Sequence, residues 1–204
     1  IVSIHPDYKT EIVETPEFMR DFIPTAAMKT VADLTENPYN IFYVTPNNSD
    51  KIDLIQTIIH EEHGHCVNFI NSLKNKENPL ANILSSELEA PITEGISFQR
   101  ESEFLEILQR GKIDIGIDIE ELEFVVLKWI IIRCLRALYD VRIYTGTQSI
   151  IEFLEWAHKE TGLAKKEIYD QTFGLHALPG YLMSYFVGAL KIEELQEKAK
   201  EKGK

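Results

Sequence analysis

Ile58-Ile59-His60-Glu61-Glu62-His63-Gly64-His65-Cys66-Val67-Asn68-Phe69 packs three histidines and two glutamates into six residues of a chain with six His in all. Apolar residues flank the cluster at helical spacing: Ile55, Ile58 and Ile59 before it, Cys66, Phe69 and Ile70 after it. The run therefore reads as the polar middle of a buried helix. Burying that many ionisable groups costs several kcal/mol for each uncompensated charge unless a partner offsets it. A metal ion is such a partner. Imidazole nitrogens and carboxylate oxygens form the ligand set of Zn²⁺, and a Glu beside the first ligand is the usual general base, a role that falls here to Glu61.

Spacing alone leaves the ligand set open. Two His four residues apart stand about 40° apart around a regular helix, whereas His60 and His65, five apart, stand about 140° apart. His60 with His63, and Glu61 with His65, share a face without distortion. One residue looped out at Gly64, as in a π-bulge, would bring His65 back towards His60, and Gly permits such a bulge most readily. A His cluster with no metal is the bland alternative, and it would need other hydrogen-bond partners for its buried groups. A third ligand must come from elsewhere. Glu94, between Thr93 and Gly95 at the start of a later helix, is the leading candidate, although an acid there also stabilises a helix dipole in water.

Composition narrows the class. The 204 residues are 44% apolar, with 10 Gly, 8 Pro and no low-complexity segment, which suits one globular domain over 1–204. A net charge of −12 argues against nucleic acid or an anionic membrane surface as partner. Cys66 and Cys134 are the only cysteines, so no disulfide framework exists and a reducing, cytoplasmic setting is expected. The longest apolar run, Phe124 to Ile132, is too short for a membrane span, carries Lys128, and reads as a core helix. The chain opens at Ile1 without Met, so a missing N-terminal portion is an expectation, as is a homodimer.

The chain reads as mainly α. Pro6, Pro16, Pro24, Pro38 and Pro46 break up residues 1–50, with a short helix expected from Thr15 to Phe22, capped by Thr15 and with Pro16 at its first position. Ile41-Phe42-Tyr43-Val44 is the best strand candidate, and an isolated strand beside the metal helix offers an edge to an extended peptide. Ser49 or Asp50 caps the metal helix, which runs to about Leu73, and residues 74–79 form a polar loop. Further helices are expected from about Pro91 to Arg110, Glu120 to Arg142 (apolar at Phe124, Leu127, Ile131, Leu135 and Leu138), Ser149 to Thr161, Lys165 to Phe173, Leu182 to Leu190 and Ile192 to Lys202. Gly111 to Asp118 reads as a connector.

Several stretches match one family together. His60-Glu61-Glu62-His63-Gly64-His65 answers a pattern H-E-x-x-P-G-H-H, and Glu94-Gly95-Ile96-Ser97-Phe98-Gln99-Arg100-Glu101 answers E-G-W-A-x-Y-x-E. Arg136 and Asp140 meet R-x-x-x-D, and Pro179-Gly180, Ser184-Tyr185 and Gly188 meet P-G-x-x-x-S-Y-x-x-G. In these motifs the chain resembles the C-terminal, metal-carrying part of the family catalogued as domain of unknown function 885, zinc peptidases of mainly bacterial and archaeal origin. More remotely it is similar to the thermostable zinc carboxypeptidases of the Taq type. The match runs in order over nearly the whole chain. It departs in lacking the Pro before Gly64, in having Cys66 for the second His of the pair, in Tyr181 for a Gln, in Arg142 and Tyr144 for a Gly and a His, and in Gly174-Leu175 for an Arg-Tyr pair.

The resemblance implies a helical, zincin-like metallopeptidase bundle with at most a short strand or hairpin near residues 41–45. It implies His60, His65 and Glu94 as zinc ligands, which selects the bulged register, and Glu61 as the base. Hydrolysis of a peptide or small amide substrate is the implied activity. Tyr185 and His176 lie in a segment that the resemblance places near the site, as candidate donors to the oxyanion. Glu101 is expected to orient a ligand His, and His63 to stand beside the ligands without binding. Arg136 and Asp140, four apart, read as an internal ion pair. A metal-stabilised helical binding module that catalyses nothing is the competing reading, and the departures from the motifs favour it.

Overall fold

The computed structural model describes residues 4, 6–21, 23, 25–31, 39–46, 50–74, 90–111, 113–173 and 179–203. The fold is mainly helical, as expected, with one small sheet. By their internal contacts the residues form two compact units, Ile1–Glu89 with Ile96–Val125, and Ala90–Gly95 with Val126–Lys204.

In the first unit, strands β1 (Thr10–Glu14), β2 (Ala26–Val31) and β3 (Tyr39–Val44) form a sheet in the order β1-β3-β2. β1 runs parallel to β3, and β2 antiparallel to it. Phe42 pairs with Ile12 on one side and Met28 on the other. Alternation along β3 turns Asn40 and Phe42 inward together, and both are buried. The expected lone strand is therefore the central one, and both its edges are taken. Any edge offered to a peptide belongs to β1 or β2, and β2 packs against the His-rich segment.

The expected helix over Thr15 to Phe22 is replaced by a single 3₁₀ turn, Glu17–Met19, with Pro16 at its cap. Thr15 instead continues the strand, its N–H donating to the Val44 carbonyl at 2.9 Å. Phe22 lies outside the described residues.

The His-rich run is the middle of an unbroken helical rod made of α1 (Lys51–Ile58), a π-helical segment (Ile59–Cys66) and α2 (Val67–Lys74). Asp50 caps it, its side chain accepting the Ile52 N–H at 3.1 Å. Ser49 and the loop expected after Lys74 lie outside the described residues. Helix α3 (Ala90–Gly111) follows. In the connector, Asp114 accepts the N–H of Gly116, whose φ of 71° suits glycine, and Asp118 accepts the N–H of Glu120 to start α4 (Ile119–Tyr144).

The face that α4 buries differs from the expected one. Leu122, Val126, Ile132, Leu135 and Tyr139 are buried, while Phe124, Leu127, Ile131 and Leu138 are exposed. Apolar residues lie on both sides of this helix, so periodicity fitted the wrong side; Leu135 alone of the expected five is in the core. In the second unit, Leu135 and Tyr139 pack with Phe153 and Ala157 of α5 (Ile150–Thr161), Ile168 of α6 (Lys165–Gln171), and Leu182. α5 opens on a capping box between Ser149 and Glu152 and closes at Gly162, φ 73°. The two helices expected around Lys191 are one, α7 (Ser184–Glu201), because no Gly or Pro interrupts it there. Asp140 accepts the Met183 N–H at 2.8 Å at its start, and Arg136 donates to the backbone and side-chain oxygens of Gln171.

Candidate metal centre

The π-helical segment solves the spacing problem by changing the hydrogen-bond ladder. The Val67 N–H bonds the carbonyl of Glu62, five residues back, and such a ladder stacks residues five apart much as an α-helix stacks residues four apart. His60 and His65 consequently lie together, ring centroids 5.0 Å apart and nearly perpendicular. Both are buried, and His65 also stacks on Phe69. His63 points elsewhere, exposed, its ring 6.1 Å from that of Phe104.

Gly64 has a different task from the one its flexibility implied. Its backbone has no left-handed φ; instead, a Cβ placed there would lie 2.3 Å from Ser97 Oγ and 2.5 Å from Ser97 Cα. Only a residue without a side chain lets the rod approach α3 so closely. Ser97 is fully buried at that contact.

One turn beyond Ser97, the fully buried Glu101 puts Oε1 2.7 Å from His60 Nδ1. A carboxylate in that place holds the proton on Nδ1 and leaves Nε2 as the lone-pair donor. Glu94 is seven residues before Glu101 on the same unbroken helix, two turns away and so on the same face. His60, His65 and Glu94 each offer a ligand atom, and these atoms lie within 4.8 Å of one another. Donors of one tetrahedral zinc ion, each about 2.0–2.2 Å from it, stand about 3.3–3.6 Å apart. The group is thus within small side-chain adjustments of a shared ion, and two imidazoles with one carboxylate is a zinc donor set.

The two glutamates after His60 have separate surroundings. Glu61 is half-buried on the segment directly after His60. Glu62 accepts hydrogen bonds from the Tyr8 and Thr10 hydroxyls, the latter at 2.7 Å, tying the start of the sheet to the segment. Burial and Glu62 together push the Tyr8 phenol and the Cys66 thiol well above their ordinary values. Cys66 is fully buried, the setting of a packing thiol. Neither Tyr8 nor Thr10 carries a sequence signal pointing to Glu62, since the contact joins residues more than fifty positions apart.

Glu94 has its own setting in the second unit. Tyr181 donates its hydroxyl to Glu94 Oε1 at 3.1 Å and lies 3.4 Å from the Tyr185 hydroxyl. The Tyr185 ring lies beneath two buried guanidinium groups, those of Arg136 at 5.1 Å and Arg133 at 5.6 Å. Burial raises the Tyr185 phenol and Glu94 adds to the rise, while Arg136 opposes it. Burial pulls Arg136 down from its ordinary value, and Tyr185 opposes that. The turn of α3 that carries Glu94 crosses α7 backbone to backbone: a Cβ on Gly95 would lie 2.4 Å from the Gly188 carbonyl carbon, and one on Gly188 would overlap the Pro91 oxygen. The glycines of both sequence motifs thus have a packing reason. His176 lies outside the described residues. Tyr181 and Arg133 are the neighbours that the sequence reading did not assign; Tyr181 was noted only as a departure from the family pattern.

No family model matches the chain, and no curated protein matches it. Among solved structures it is similar to one described as a "putative lipoprotein from Colwellia psychrerythraea", with a TM-score of 0.77 and 21% identity. The similarity covers 96% of this chain and 33% of that one. The chain therefore spans a third of the length of that structure, and at this identity the likeness is one of fold. Among the described residues no helix is long and apolar enough to cross a membrane.

Proposed function

We propose that the protein is a zinc-dependent hydrolase of peptide or related amide bonds. The observation that carries the proposal is the grouping of His60, His65 and Glu94, whose ligand atoms lie within 4.8 Å, with Glu101 fixing the His60 ring from behind. Two neutral imidazoles and one carboxylate would leave a bound zinc ion one ligand short of a closed site, as in catalytic rather than structural zinc sites. When bound, zinc supplies Lewis acidity and brings the acidity of water to near neutral pH.

The protein groups then have these roles. His60 and His65 bind through imidazole nitrogen and Glu94 through carboxylate oxygen, while Glu101 keeps the proton of His60 on Nδ1. The Glu61 carboxylate takes the proton from the attacking water and passes it to the leaving amine. Tyr185, its phenol kept protonated by burial and Glu94, donates a hydrogen bond to the oxyanion. Tyr181 orients Glu94 through its 3.1 Å bond. A cytoplasmic setting belongs to the same proposal and rests on two cysteines that are both unpaired.

Glu61→Gln tests the reading. The variant should keep one equivalent of zinc and lose hydrolysis of a mixed peptide library. A wild-type protein that binds zinc and cleaves nothing would instead establish the non-catalytic module.

A further inference from the structure

The pairing of the two histidines does not depend on where between them the wide turn takes up its extra residue. Residues before that point keep the orientation set by α1, and residues after it keep the orientation set by α2. Any point between His60 and His65 therefore leaves the rings together. The intervening glutamates are different. Moving the point from one side of Glu61 to the other would turn that side chain by about 100° around the rod. Glu101 holds His60 at 2.7 Å and so stops the point from passing before His60, but that contact does not decide the orientation of Glu61.

Glu62 marks the point twice. Its carbonyl accepts the Val67 N–H, the bond that closes the wide turn. Its carboxylate accepts the hydroxyls of Tyr8 and Thr10, the latter at 2.7 Å. Both donors stand off the rod: Thr10 opens β1 and pairs with Asn40 of the central strand, and Tyr8 precedes it by two residues. Hydrogen bonds to a carboxylate are about twice as strong as those between neutral groups, so the sheet grips Glu62 firmly. The other side of the turn is held separately, with the Asn68 side chain donating to the Gly64 carbonyl and Gly64 lying against Ser97.

We propose that Tyr8 and Thr10 are positioning residues for Glu61, acting through Glu62. By holding the Glu62 carboxylate on the sheet they keep the wide turn beyond Glu61, so that Glu61 shares the orientation of His60 rather than that of His65. The role of Glu61 as base rests on the hydrolase reading above; the place of the wide turn does not.

The double variant Tyr8→Phe, Thr10→Val tests the proposal, since it removes both hydroxyls, keeps the shape of both side chains and leaves the Glu62 carboxylate. Nuclear magnetic resonance of the metal-free chain reads the place of the turn, through the coupling across the hydrogen bond between the Val67 amide and its acceptor carbonyl. The wild type should couple Val67 to Glu62. The double variant, with an unchanged circular dichroism spectrum, should instead couple Val67 to His63, four residues back. Glu62→Gln, whose amide oxygen accepts both hydroxyls, should keep the wild-type coupling. A double variant that retains the coupling to Glu62 overturns the proposal. Loss of that coupling in Glu62→Gln also overturns it, because the charge and not the two hydroxyl bonds would then be responsible.

Zinc and turnover supply the second readout. Zinc affinity of the double variant, by chelator competition, should stay at the wild-type value because the histidine pairing is unaffected, while kcat for peptides falls about tenfold or more with KM little changed. A loss of zinc affinity would place the effect on the ligands rather than on Glu61 and overturn the proposal. A wild type that cleaves nothing overturns the hydrolase reading and with it the role of Glu61 as base; the Val67 coupling decides the grip on Glu62 in either case.

Discussion

His60 Nδ1 lies 2.7 Å from Glu101 Oε1, with the carboxylate fully buried and the imidazole nearly so. This contact fixes which ring nitrogen is available for binding. Glu101→Gln keeps the shape but replaces the charged acceptor by an amide that presents either end. Zinc affinity should fall about 10–100-fold, as is typical when the partner of a ligand His is lost. Competition titration with a chromophoric chelator measures it, and an unchanged affinity would separate Glu101 from the site.

His65→Ala should release the metal, whereas His63→Ala should retain it, because His65 is buried against His60 and His63 is exposed beside Phe104. Metal analysis of the purified variants decides between them. The opposite result would mean that the three-residue spacing supplies the ligands.

Gly64→Ala should destabilise the fold by about 1–3 kcal/mol, the usual cost of overpacking, because its Cβ would meet the backbone and side chain of Ser97. Denaturant unfolding measures the loss. If the contact with Ser97 is the cause, Ser97→Gly in the same chain should recover part of it; no recovery would point to some other constraint on Gly64.

Stability should depend on pH through the capping box of α5. The Ser149 N–H donates to Glu152 at 2.7 Å, and the Ser149 backbone and hydroxyl hold the Glu152 carboxyl below its ordinary value. A carboxyl lowered in the folded state adds stability that is present above the unfolded value, about 4.3, and is lost as pH falls through the lower folded value. The difference in thermal midpoint between the wild type and Ser149→Ala should therefore shrink as pH falls below about 4. A constant difference would show that the Ser149 hydroxyl plays no part in holding the carboxylate, since the backbone N–H remains in the variant.

Much of this architecture was legible because local signals agreed. Asp50 before α1, the Ser149–Glu152 box and Gly162 after α5 mark helix ends by their own chemistry. Misreadings arose where the deciding contact was distant. Thr10–Glu14 carries Thr, Ile and Val but is only five residues long, and its partner is β3, reached only past β2. The buried side of α4 could not be chosen from a helix that is apolar on both sides. At the candidate site, the spacing of His60 and His65 showed that a regular helix would not serve. The role of Gly64 was hidden because its neighbour, Ser97, lies on another helix. The hydrogen bond from Tyr181 to Glu94 joins residues 87 positions apart, and no local pattern announces it.

The π-helical segment also acts as a phase keeper. Without Gly64 the run would read His-Glu-Glu-His-His, and its first and last histidines, four apart, would share one face of an ordinary α-helix. The ligand pair therefore does not by itself require the wider turn. Five steps through the wider turn rotate about as far as four through an ordinary one, so the extra residue is taken up inside the segment. Val67 and Ile70, buried after it, keep the phase they would have in a regular helix one residue shorter. Deleting Gly64 should consequently spare both the histidine spacing and the apolar face of α2, whereas a substitution at His65 removes a ligand.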